Sequence, residues 1–222
     1  NSDLGEGKGV EKEIMPFLTS CSIACGGHIG DKASMLETIL IAKNHGVKIG
    51  AHPSYPDKEN FGRKTMSISQ SDLRLSLIKQ INSIYKIAKN LNTSIDHIKL
   101  HGALYNFSTI DLQTASTVVD LIKSDYPDVF LYAPYQSLIS ELAIENDIKV
   151  YYEVFLDRNY NNDLSLVSRE NDNSMILNSK KMLDRLKNVI NENKIQTIDG
   201  VYKKIIGDTF CVHGDSLEIA SV

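Results

Sequence analysis

Short runs of β-favouring residues alternate along this chain with longer stretches of helical periodicity. Residues 22–24, 47–51, 98–100, 129–132, 150–155 and 210–212 read as strands. Residues 32–44 put Met35, Leu36, Ile39, Leu40 and Ala42 on one helical face, and Gly46 supplies a stop. Ser69 caps a long helix, with Asp72 completing a weak capping box. The apolar face of that helix runs through Leu73, Leu77, Ile81, Ile84, Tyr85 and Ala88. Residues 112–122, 135–145 and 175–190 are also helical, the last with Leu183, Leu186 and Val189 on one side. Lys203 and Lys204, between Gly200 and Gly207, fall in a surface hairpin or loop.

This is a βα unit repeated about six times, which predicts an α/β fold with a parallel sheet covered by helices. A further first strand is expected ahead of Asn1. Residues 217–220 open a helical pattern that stops at Val222. One catalytic barrel domain is therefore expected over residues 1–222, lacking part of its first strand and last helix. Polar clusters follow many successive strands instead of gathering at one switch point. That favours a closed TIM-like (β/α) barrel over a doubly wound sheet.

Composition narrows the function. The 222 residues are 42% hydrophobic and 23% charged, with a net charge of −4 and no basic arm, so duplex binding is not expected. No apolar stretch reaches membrane-spanning length, and no signal-peptide pattern is visible. Cys21, Cys25 and Cys211 are odd in number and read as buried thiols of a reducing compartment, with cytoplasm as the default. Neither a P-loop nor a Rossmann fingerprint is present.

The clusters carry the chemistry. Asp3 and Glu6 bracket a glycine, and a carboxylate there can bind a metal, orient a base or act as one. His28 follows Cys25-Gly26-Gly27, where glycines let backbone approach a ligand. His52 ends a strand before Pro53, and the loop beyond brings Arg63, suited to a carboxylate or phosphoryl group. Lys99 and His101 are two apart and point to one side, with Tyr105 and Asn106 behind them. Buried Lys99 calls for a carboxylate such as Asp3 or Glu6, or for bound substrate. Glu153 lies inside an apolar strand, followed by Arg158 and, eleven residues on, Arg169. A structural ion pair between Glu153 and Arg158 is the bland alternative. His213 and Asp215 close the series as an acid or base pair, while His45 and His97 read as structural or surface. The spacing matches no tight zinc motif, yet Asp3, His28 and His52 could supply a divalent metal from separate strands.

Taken together, Asn1-Ser2-Asp3-Leu4-Gly5-Glu6, the stretch 23–31, Gly50-Ala51-His52-Pro53-Ser54-Tyr55-Pro56-Asp57, Phe61-Gly62-Arg63, the stretch 99–106, Glu153 to Arg158, Tyr160 and Cys211-Val212-His213-Gly214-Asp215 resemble the LamB/YcsF family, in order over essentially the whole chain. The resemblance implies a β/α barrel of the glycoside hydrolase/deacetylase type, often with seven strands. It also implies hydrolytic opening of 5-oxo-L-proline to L-glutamate. ATP is the cosubstrate, spent with Mg²⁺ through partner subunits B and C, which are thought to phosphorylate the lactam. In that frame Asp3 is the first choice for general base, with Glu6 or Asp215 next. Lys99, His52 and Arg63 would stabilise negative charge, and His101 or His213 would protonate the leaving nitrogen. His28, Arg63, Tyr105, Asn106, Glu153, Arg158 and Arg169 would bind substrate. A metal-dependent deacetylase acting on a small amide or sugar, and a non-catalytic acid-binding component, are the rivals. Ser2, Gly27, Ser54, Leu100, Asn173 and Ser174 depart from the family's usual residues. Gly27 stands where phenylalanine is usual and Ser54 where glycine is.

Overall fold

The computed structural model describes residues 1–213. Its strands and helices alternate in the order β1 (Ser2–Leu4), α1 (Glu11–Ile14), β2 (Ser20–Ala24), α2 (Lys32–Asn44), β3 (Lys48–His52), α3 (Gln70–Asn90), β4 (His97–Lys99), α4 (Gly102–Phe107), α5 (Leu112–Asp125), β5 (Phe130–Ala133), α6 (Leu138–Glu145), β6 (Val150–Phe155), α7 (Ser179–Glu192), β7 (Lys194–Gln196), β8 (Tyr202–Lys204) and β9 (Thr209–Cys211). Seven strands form one parallel sheet in the order β1-β2-β3-β4-β5-β6-β9. The first strand, expected ahead of Asn1, includes Ser2–Leu4 themselves.

The sheet curls until its edges meet. The Asn1 nitrogen donates to the Phe210 carbonyl at 2.7 Å, and the Val212 amide donates to the Asn1 carbonyl at 3.1 Å. Asn1 Nδ2 adds a bond to Thr209 Oγ1 at 2.7 Å. These contacts bring β1 to β9 and nearly close a seven-stranded barrel. Lys203 and Lys204 lie in β8, which pairs antiparallel with β7 as a hairpin outside the barrel.

Two helical faces differ from the periodicity. In α2 the buried residues are Met35, Thr38, Ile39 and Ala42, while Leu36 and Leu40 are exposed. In α7 they are Met182, Arg185 and Val189, and Leu183 is exposed. That helix starts at Ser179 and not at 175, because Asn178 caps it by accepting from the Lys181 amide at 3.0 Å. α3 follows its expectation, with Ser69 accepting from the Asp72 amide at 3.1 Å.

The lower barrel is filled by aromatic and polar side chains. His97 stacks on Tyr132 with centroids 3.9 Å apart and bonds Ser22 Oγ at 3.1 Å. Gly50 is required beside it, since a Cβ there would fall 2.1 Å from the His97 ring. No helix among the described residues is long and apolar enough to cross a membrane. Asp215 and the helical pattern at 217–220 lie outside the described residues.

Candidate active site

The C-terminal ends of the strands deliver the polar clusters to one mouth of the barrel. Asp3 comes from β1, His52 ends β3, Lys99 ends β4, Glu153 lies in β6 and Cys211 ends β9. His101, Asp157 and His213 each stand two residues beyond a strand and reach the same mouth, where His101 Nδ1 lies 3.0 Å from His52 Nε2 and His213 Nε2 lies 3.5 Å from Asp3 Oδ2.

Lys99 is the electrostatic centre. Its Nζ lies 2.8 Å from Asp3 Oδ1, 2.8 Å from Glu153 Oε1 and 3.2 Å from Cys211 Sγ, with the side chain 1% exposed. Burial alone would lower its pKa. Asp3, and with it Cys211 and Glu153, more than offsets that and holds the ammonium well above its usual pKa. Burial likewise pushes Asp3 up, but His52, Lys99 and hydrogen bonds from His213 and His52 prevail and keep it well below the carboxylate range. Glu153 thus pairs with Lys99, not Arg158. Tyr105, buried nearby, is pushed well up by burial and then by the charge of Glu153.

His213 forms a second pair. Its Nδ1 lies 2.9 Å from Asp157 Oδ2, its backbone amide donates to the same oxygen at 2.8 Å, and its Nε2 is 3.5 Å from Asp3 Oδ2. The ring stacks on Phe155. Burial would lower its pKa, but Asp157 and then Asp3 lift it to about 9, so the imidazolium persists at neutral pH. Asp157 is a site residue that motif spacing does not single out. Its signal is its offset of two residues from a strand end, the offset His101 and His213 share.

Three further histidines of the site pack ring to ring. His28 stacks on His101 with centroids 3.6 Å apart, and His52 sits edge-on to both. Burial, then the proximity of His52, drives His28 down to about 3, and burial with His52 and His28 drives His101 well below its usual value. Glu6 Oε1 reaches His28 Nε2 at 3.1 Å and His101 Nδ1 at 3.5 Å. The donor atoms of Glu6, His28, His52 and His101 all lie within 4.8 Å of one another. His28 and His52 are thus grouped with Glu6 and His101, while Asp3, expected as the third metal ligand, forms a separate group with Cys211 and His213.

One loop covers this cluster. Phe61 and Gly62 both adopt left-handed backbone, and a Cβ on Gly62 would crowd His28 and His101 at 3.0 and 3.1 Å. The Gly62 carbonyl accepts from the Ala103 amide at 2.9 Å, which ties the loop to α4.

Arg158 is buried, with Nη2 donating to Val167 O at 2.6 Å and Nε to Ser174 O at 3.4 Å. Burial first, then Arg169, lowers its pKa to about 10, and Arg63 adds to this. Arg63 is exposed, its guanidinium 4.9 Å from the Phe61 centroid. Asn106 is exposed on α4. Cys25 is a thiol lifted to about 12 by burial, which argues against a nucleophile. A cavity of about 650 Å³ between α2 and α3 contains none of the charged cluster.

The LamB/YcsF family model matches residues 1–222. The A component of a 5-oxoprolinase from Acinetobacter baumannii is 40% identical over 221 residues, covering 97% of this chain and 87% of its own. The same component from Pyrococcus abyssi is 37% identical over 229 residues, covering 100% and 90%. The crystal structure of a lactam utilization protein from Thermus thermophilus superposes with a TM-score of 0.91 at 31% identity, covering 100% of this chain and 92% of that one.

Proposed function

The chain belongs to the LamB/YcsF family, and on that premise we propose that it opens ATP-activated 5-oxo-L-proline to L-glutamate as the A component of a 5-oxoprolinase. Subunits B and C spend the ATP, with its Mg²⁺, to phosphorylate the lactam. The observation that carries the chemistry is a carboxyl group beside an imidazole that is itself backed by a second carboxyl group: Asp3 Oδ2 lies 3.5 Å from His213 Nε2, and Asp157 Oδ2 lies 2.9 Å from His213 Nδ1.

In the proposed step, water adds to the activated ring carbon and gives its proton to Asp3 as the C–O bond forms. Lys99 and His52 keep Asp3 ionised at the expense of base strength. The C=O bond then re-forms as the C–N bond breaks, and the His213 imidazolium delivers its proton to the departing nitrogen; the acyl phosphate so formed takes up a second water and releases inorganic phosphate and L-glutamate. His101, held neutral, is the poorer donor. Lys99 is too deeply paired to reach substrate and acts as a positioning residue. Arg63, Arg158 and Arg169 would bind a substrate carboxylate or phosphoryl group.

The test is ATP-dependent glutamate release from 5-oxoproline, by the chain alone and with subunits B and C. Release only in the full mixture, lost by about 10²-fold or more in Asp3→Asn, is expected. No release in a competent mixture, or near-normal turnover of Asp3→Asn, would overturn the corresponding assignment. The Glu6, His28, His52 and His101 cluster favours one second reading, metal-dependent hydrolysis of a small amide, which requires deacetylation without ATP.

A further inference from the structure

We infer that Glu6, His28, His52 and His101 form a mononuclear site for a divalent transition metal, with zinc as the expected occupant. Each imidazole spends its N–H on an acceptor outside the cluster. Ser54 Oγ donates to the Tyr55 carbonyl at 2.8 Å, so towards His28 Nδ1, at 3.1 Å, it can only accept. His52 Nδ1 lies 2.8 Å from the Lys99 carbonyl and His101 Nε2 lies 2.9 Å from the Phe61 carbonyl, and a carbonyl also only accepts. All three N–H groups therefore point outward. His28 Nε2 and His101 Nδ1 therefore present lone pairs to the Glu6 carboxylate, and His52 Nε2, 3.0 Å from His101 Nδ1 and 3.3 Å from Asp3 Oδ2, completes the group when it sheds the proton it otherwise gives to Asp3.

Four electron-rich atoms facing one centre need a cation between them. The separations suit one. His52 Nε2 to His101 Nδ1 is 3.0 Å, His28 Nε2 to Glu6 Oε1 is 3.1 Å and His101 Nδ1 to Glu6 Oε1 is 3.5 Å. Zinc–nitrogen bonds of about 2.0–2.1 Å put neighbouring ligands of a tetrahedron about 3.3 Å apart. Backbone carbonyls and a hydroxyl behind ligating imidazoles are the outer hydrogen bonds by which metal sites fix tautomer and ring orientation. The imidazole-rich donor set suits zinc or its first-row neighbours, not magnesium or calcium. An ion here would supply Lewis acidity beside Asp3, whose Oδ2 is 3.3 Å from His52 Nε2. That last role rests on the proposed hydrolysis, whereas the metal site itself does not.

The competing arrangement is a proton on His52 Nε2, given to His101 Nδ1 at 3.0 Å or to Asp3 Oδ2 at 3.3 Å, with no metal. Untagged full-length chain, purified without chelator, separates the two by elemental analysis, followed by titration of the stripped chain with Zn²⁺ and with Co²⁺ as a spectroscopic probe. About one equivalent of metal per chain and intense tetrahedral Co²⁺ bands are expected. His101→Gln should abolish both. Ser54→Gly, which removes the outer hydrogen bond of His28 together with the hydroxyl's bond to the Tyr55 carbonyl, should weaken Zn²⁺ binding about 10–100-fold while leaving the far-ultraviolet circular dichroism unchanged. Wild-type chain that takes up neither ion would overturn the site. Stoichiometric metal in a chain that fails the 5-oxoproline assay would overturn the proposed function and leave the metal site standing.

Discussion

Gly27 and Ser54 share one space: a Cβ at Gly27 would fall 2.3 Å from Ser54 Oγ. The same Cβ would fall 2.3 Å from Gln80 Oε1, and Gln80 is itself fixed by accepting from the Ser54 amide and donating to the Ser54 carbonyl, both at 2.9 Å. In this chain a residue without a side chain at position 27 thus accompanies a hydroxyl at position 54. Gly27→Ala should cost about 1–3 kcal/mol by overpacking. Ser54→Gly in the same chain should relieve part of that cost, with a coupling of about 0.5–3 kcal/mol in a double-mutant cycle read by denaturant unfolding. Strict additivity would show that the two residues do not compete for space.

Lys99 joins two buried carboxylates, and breaking that triad should cost far more than the triad contributes. Removing the ammonium leaves Asp3 and Glu153 charged in a site where their side chains are 5% and 0% exposed. Lys99→Met should therefore destabilise by about 3–5 kcal/mol. Lys99→Met combined with Glu153→Leu replaces an ion pair by apolar groups and should recover much of the loss. Thermal unfolding of the two variants side by side checks this. A double variant no more stable than the single one would mean that Glu153 is not the group left unpaired.

The barrel was legible because each strand announces itself by an apolar run and each cluster by its place after one. What escaped was polar residues that satisfy themselves inside. Thr38 is buried on α2 because its hydroxyl donates to the Ser34 carbonyl at 2.9 Å, so an apolar pattern cannot find it. Arg185 is buried on α7 because its guanidinium donates to the Phe155 and Arg158 carbonyls and lies 5.6 Å from the Tyr160 centroid. Partnerships were hidden for a different reason. Asp157 and His213 are 56 residues apart, and only the β6–β9 register, Phe155 beside Cys211, brings them together. Sequence named most of the groups at the mouth, but spacing along a chain cannot say whether Asp3 faces a lysine or a metal.

His213 should impose a distinct pH dependence. The groups facing it are Asp157 beyond β6 and Asp3 on β1, with the Phe155 ring against its face and Lys99 opposing through Asp3. Its folded pKa of about 9 lies above the ordinary 6.5. A raised pKa means that the folded chain binds the proton more tightly than the unfolded one. The stabilisation is complete below about pH 6.5 and is lost as pH rises through about 9, amounting to roughly 3 kcal/mol. Asp157→Asn removes the larger raising influence, so the His213 resonance should titrate nearer neutrality and the alkaline loss of stability should shrink. Because the proposed step needs the imidazolium, kcat in the complete mixture should fall on the alkaline side with an apparent pKa near 9, and Asp157→Asn should move that limb to lower pH. A kcat profile flat through this range, with His213 shown by NMR to lose its proton there, would remove His213 as the proton donor to the ring nitrogen.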